Sequence, residues 1–128
     1  MSSLQAAVLF VLLNLPVVYQ LTNKFLGNTW DAAAQCPTSF GVLLHAGVFF
    51  LLSFLMMKKS GLSKADKMKS SLTGALLFAI LSSPMAYKMV RNVLPMVASE
   101  SGCPSMAGVL VHGGVYTVAL MGLQSLKL

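Results

Sequence analysis

The chain has 128 residues, of which 56% are hydrophobic and 9% charged. A soluble domain carries about 25% charged residues, so a water-soluble fold is excluded and an integral membrane protein is the first reading. Nine Lys and Arg stand against three acids, and five of the nine cluster at Lys58, Lys59, Lys64, Lys67 and Lys69, so the basicity is local.

Four apolar stretches follow in chain order: Leu4–Leu21, Phe40–Met57, Leu72–Tyr87 and Met106–Leu123. A bilayer core takes roughly 17–25 residues of helix, which predicts four transmembrane helices. The first stretch lacks a basic leader, so it reads as a span and not as a signal peptide. Pro16 and Pro84 fall two-thirds along the first and third helices. Proline there removes a backbone bond, bends the helix, and frees carbonyls for neighbours such as Asn14, Ser82 or Ser83.

The chain repeats itself. Ser2–Pro16 ("SSLQAAVLFVLLNLP") lies on Ser70–Pro84 ("SSLTGALLFAILSSP") at an offset of 68, and Tyr19 then lies on Tyr87. Past the loop the offset is 67: Cys36-Pro37 meets Cys103-Pro104, Gly41 meets Gly108, and His45 meets His112. The shared phrase is C-P-[TS]-x-x-G-V-L-x-H-x-G-V. The prediction is therefore an all-α membrane protein of two helical hairpins. Residues 1–57 form the first repeat, 58–69 a basic linker, and 70–128 the second. Each hairpin returns to its starting side, so the halves are parallel repeats about an axis near the membrane normal. The linker's five Lys place it, with both termini, on the cytosolic side. The loops at 27–37 and 95–104 then lie opposite.

Proline suits the first helical position, which puts Cys36 and Cys103 at N-caps. Two inert thiols, a bridge between the repeats, and metal binding are all open readings, though two Cys and two His at different depths make a poor zinc site. His45 and His112 lie inside spans, where an ionisable side chain is a functional hypothesis by default. Structural hydrogen bonding, haem ligation and a proton relay compete. No Asp or Glu in a span serves a relay. Tyr19 and Tyr87 lie at about the same depth as the histidines, so the expectation is that each His hydrogen-bonds a Tyr, within its hairpin or across the axis, and binds no metal. Gly41, His45 and Val48 share a helix face; with Gly47 and Gly113-Gly114 it reads as an internal interface. No nucleotide loop, triad spacing or carboxylate pair is present, so neither an enzyme nor a cofactor is expected.

The phrases carrying Ser83, Pro84 and Tyr87, then His45, Ala46, Val48 and Phe49, resemble those of short hydrophobic proteins of large double-stranded DNA viruses of eukaryotes. The resemblance spans both hairpins, and the first copy departs from it with Leu15 where the second has Ser83. It implies a structural protein of the virion inner membrane, beneath the capsid. The implied partners are the lipid bilayer, other membrane or capsid proteins, and further copies of the chain. Anionic lipid is the expected partner of the Lys linker. The alternatives are a small accessory subunit of an organellar respiratory or photosynthetic complex, and a small dimeric transporter or channel.

Overall fold

The structure is a computed structural model that describes residues 3–33, 36–57, 61, 63–99 and 102–126. Lys58 and Lys59 lie outside the described residues. The chain is mostly helical: α1 (Ser3–Asn14), α2 (Pro16–Leu26), α3 (Ser39–Met56), α4 (Lys64–Ser82), α5 (Pro84–Arg91) and α6 (Met106–Ser125). Two short strands, β1 (Trp30–Asp31) and β2 (Cys36–Pro37), pair antiparallel before α3. The second repeat keeps this device as a single bridge, Ala98 to Pro104, at the positions equivalent to Trp30 and Pro37.

Each proline breaks its helix. The α1–α2 pair is bent by 60° and the α4–α5 pair by 58°. The four apolar stretches thus become two unbroken helices and two bent pairs. α3 and α6 are each long and apolar enough to cross a membrane, and each bent pair qualifies only when taken together. With 12 residues, α1 alone is about 18 Å long, short of the roughly 30 Å of a hydrocarbon core. α4 begins at Lys64, so the second half of the basic segment is helix and not loop; Ser63 caps it by accepting from the Asp66 amide at 3.1 Å.

The closest helix packing runs between the repeats, α3 against α4 and α1 against α6. Four rings fill the axis. Phe10 and its equivalent Phe78 meet edge-on with centroids 5.3 Å apart, and Phe49 meets its equivalent Tyr116 at 5.8 Å. All four are fully buried. Small residues let the backbones approach: a Cβ on Gly74 would lie 3.0 Å from the Phe49 ring and 3.2 Å from the Tyr116 hydroxyl, which donates to the Gly74 carbonyl at 3.2 Å. The outer surface is apolar on every long helix, with Leu4, Leu43, Ile80 and Val118 between 62% and 73% exposed.

The predicted small-residue face is divided. Gly41 and Gly113 are buried, whereas Gly47 and Gly114 are exposed, and a Cβ at either would meet no atom of the described residues within 4 Å. The reason is helical phase: two residues turn by about 200°, so Gly47 points away from the side that His45 presents.

Candidate functional site

The histidines belong to the proline breaks. In an unbroken helix the Leu13 carbonyl would accept from the amide four residues on. The break at Leu15–Pro16 instead sends the Val18 and Tyr19 amides to the Leu15 carbonyl, 3.0 and 3.2 Å away. Leu13 is left without its helical donor. His45, buried on α3, donates Nδ1–H to that carbonyl at 2.6 Å. In the second repeat His112 on α6 donates Nδ1–H to the Leu81 carbonyl at 2.9 Å. A carbonyl can only accept, so the proton in each contact sits on Nδ1. Each histidine thus supplies from one helix the donor that the bend at proline withdraws from another.

The tyrosines act differently from the expectation. Tyr19 stacks on His45 with ring centroids 4.0 Å apart and planes 3° from parallel; Tyr87 stacks on His112 at 3.7 Å and 6°. The His–Tyr hydrogen bond is therefore corrected to face-to-face stacking. Depth brings the rings level, but the imidazole edge is already turned to the freed carbonyl, so its face is what remains for the phenol. Neither phenolic oxygen has a hydrogen-bond partner among the described residues.

Beyond Nδ1 the repeats diverge. In the first, Thr22 Oγ1 lies 3.0 Å from His45 Nε2, and 3.0 Å from the Thr29 hydroxyl, which donates to the Tyr19 carbonyl at 2.9 Å. With the Nδ1 proton committed to Leu13, the neutral ring accepts the Thr22 proton at Nε2. The offset places Val90 and Val97 where the first repeat has Thr22 and Thr29. His112 Nε2 is buried without a hydrogen-bond partner among the described residues.

The loops above the histidines are held by paired devices. Asn23 Oδ1 accepts from the Thr29 and Trp30 amides at 3.2 and 3.3 Å. At the equivalent position Arg91 Nε donates to the Ala98 carbonyl at 3.1 Å. Gly41 and Gly108 lie against the backbones of Thr29 and Val97, and a Cβ at either glycine would fall on the facing carbonyl. The N-caps are Thr38 and Ser105, not the cysteines. Thr38 Oγ1 accepts from the Gly41 amide at 2.9 Å and donates to the Asn28 carbonyl; Ser105 Oγ accepts from Gly108 at 3.0 Å and donates to Met96 at 2.7 Å. A hydroxyl can both accept from the helix and donate back to the loop, which a thiol does poorly.

Cys36 and Cys103, each two residues before its N-cap, form a disulfide across the pseudo-two-fold axis with Cα atoms 5.0 Å apart. Lys64, Lys67 and Lys69 lie on the first turns of α4, at the opposite end of the bundle. That end also holds the start of α1 and the ends of α3 and α6: Ala6, Ser53, Ser70 and Gln124 line one small cavity there. Among the described residues no group of three His, Cys, Asp or Glu is placed to hold a metal. The arrangement offers mechanical restraint: two propped helix breaks, locked by a covalent bond.

Sequence reasoning passed over Thr22, Thr29, Asn23 and Arg91. Aligning the repeats puts Asn23 on Arg91 and Thr22 on Val90, a visible signal of difference, but what these side chains grip is backbone and carries no residue code. A comparison with protein-family models, curated proteins and solved structures finds no match to this chain.

Proposed function

We propose that the protein is a structural, non-enzymatic component of a membrane, built of two parallel helical hairpins. It spans the bilayer with α3 and α6 and with the two bent pairs. The observation that carries this reading is the inversion of polarity. Large apolar side chains cover the outside of the long helices, while Asn14, His45, Ser53, Ser71, Ser82 and His112 are buried inside. In water that arrangement would leave the apolar belt exposed; in lipid it is the expected one.

The four packed rings on the axis favour a brace over a channel, because they fill the path that an ion would need. The Lys-rich end faces the cytosol by the charge rule. The disulfide end then faces away from it, which agrees with the compartments where disulfides persist. The proposed partner of the Lys-rich end is anionic lipid, which lysines beside a bilayer attract at about 1 kcal/mol each. The sequence phrases around Pro84 and His45 support the inner membrane of a large DNA virus particle as the setting, with capsid or membrane proteins and further copies of the chain as partners.

Fractionation tests it. Particles purified from the native source should retain the protein through a carbonate wash and release it only with detergent. Recovery with a respiratory or photosynthetic complex, or in the carbonate-soluble fraction, would overturn the reading.

A further inference from the structure

The bent segments α2 and α5 have a two-edged outer face that neither the axis packing nor the histidine clamps use. On α2 the exposed side chains Val17, Leu21 and Phe25 recur every four residues and form an apolar strip. Gln20 and Lys24, also exposed and also four apart, form a polar strip directly beside it. At 100° per residue the two strips together cover less than half of the helix circumference. The inward side carries buried Tyr19 and half-buried Thr22 and Asn23. The second repeat has the same face: Met85 and Met89 are 72% and 66% exposed, and Lys88 and Asn92 lie beside them.

We propose that α2 and α5 are interfacial helices that slant through the headgroup boundary of the leaflet nearer the disulfide, with phospholipid as the occupant of their outer faces. The apolar strip beds in acyl chains and the polar strip lies at the phosphate level, where Lys24 and Lys88 meet lipid phosphate. Three features select lipid over a protein partner. A single exposed face passes from apolar to polar across its width, as an interfacial helix requires. Each strip continues the apolar outer surface of the helix before it, α1 or α4, past a bend of 58–60°. Each polar strip carries one cation, complementary to phosphate, and Lys stems can snorkel to that level. The slant also matches lengths: α1 rises about 18 Å and half of α2's roughly 16 Å adds about 8, which brings the bent pair level with the roughly 27 Å of α3.

The inference rests on the membrane reading, and one experiment separates the two. Single cysteines are introduced into the oxidised full-length protein, spin-labelled, and read for depth by oxygen and nickel-chelate collisions in phosphatidylcholine–phosphatidylglycerol vesicles. Labels at Leu51 and Val118, exposed about two-thirds of the way along α3 and α6, report on the membrane reading. They should be oxygen-rich and nickel-poor. Labels at Val17, Leu21 and Phe25 should then change depth by about 6 Å over eight residues, against about 12 Å for an upright helix. Labels at Gln20 and Lys88 should read at the headgroup. Nickel access at Leu51 and Val118 overturns both the membrane reading and this inference. Lipid-buried controls with the full 12 Å gradient, or with Gln20 and Lys88 as deep as Val118, overturn the interfacial helices alone.

Discussion

The two halves of the molecule solve one problem with different parts. Both break a helix at a proline, and both send a histidine Nδ1–H to the carbonyl three residues before it. In the first half the far side of the imidazole is completed by Thr22, while the break itself has Leu15 and no side-chain cap. In the second half the far side faces no partner among the described residues, while the break is capped by Ser83, which accepts from the Ala86 amide at 3.3 Å and donates to the Ile80 carbonyl at 2.7 Å. What both copies keep is the bond to the carbonyl. What they exchange is where the supporting hydroxyl sits.

The bridge between the halves gives the largest expected effect. Cys103→Ser removes a crosslink separated by 67 residues in sequence and should cost about 2–4 kcal/mol, read as a lower unfolding temperature in detergent. Reduction of the parent protein should reproduce the loss. A variant as stable as its oxidised parent would show that the loops need no covalent tie.

The histidines come next, and here the halves should differ. His45→Leu and His112→Leu each orphan a backbone carbonyl, at about 1–3 kcal/mol. His45→Leu also loses the Thr22 bond, about 1 kcal/mol more, whereas His112→Leu removes a ring nitrogen with no partner among the described residues. The first should be the more damaging by chemical or thermal unfolding. Equal losses would contradict the asymmetry.

Exchanging the hydroxyls sharpens the comparison further. Val90→Thr should offer His112 Nε2 the donor that His45 already has and raise stability by about 1 kcal/mol, while Thr22→Val should lower it by a similar amount. The smallest effect is expected at the breaks: Ser83→Ala should cost about 1 kcal/mol by removing an N-cap, and Leu15→Ser should return part of that in the other half. A Leu15→Ser variant less stable than its parent would show that the two breaks are not interchangeable.

Much of this fold is legible in the sequence because it is written twice. The offsets of 68 and 67 pair Phe10 with Phe78, Pro16 with Pro84, and Cys36 with Cys103, and each pair meets or matches in space. Proline predicts the bends, and a buried imidazole predicts a partner. The partner itself is hidden, because a carbonyl freed by a break belongs to Leu13 and Leu81, whose side chains advertise nothing polar. The tyrosines at matching depth then look like the obvious choice, and ring orientation, which sequence spacing does not encode, makes them stacking neighbours instead. The same blindness to backbone misplaces the caps: Cys-Pro suggests a helix start, while the hydroxyl one residue later holds both the helix and the loop.

The central claim is that both histidines prop the carbonyls that proline frees, and imidazole nitrogen NMR tests it most directly. With the protein labelled at histidine nitrogen and reconstituted in lipid, both rings should carry their proton on Nδ1, each coupled across a hydrogen bond to a backbone carbonyl. His45 Nε2 should show a hydrogen-bonded acceptor and His112 Nε2 a bare one. Protons found on Nε2, with Nδ1 unprotonated in either repeat, would contradict the account.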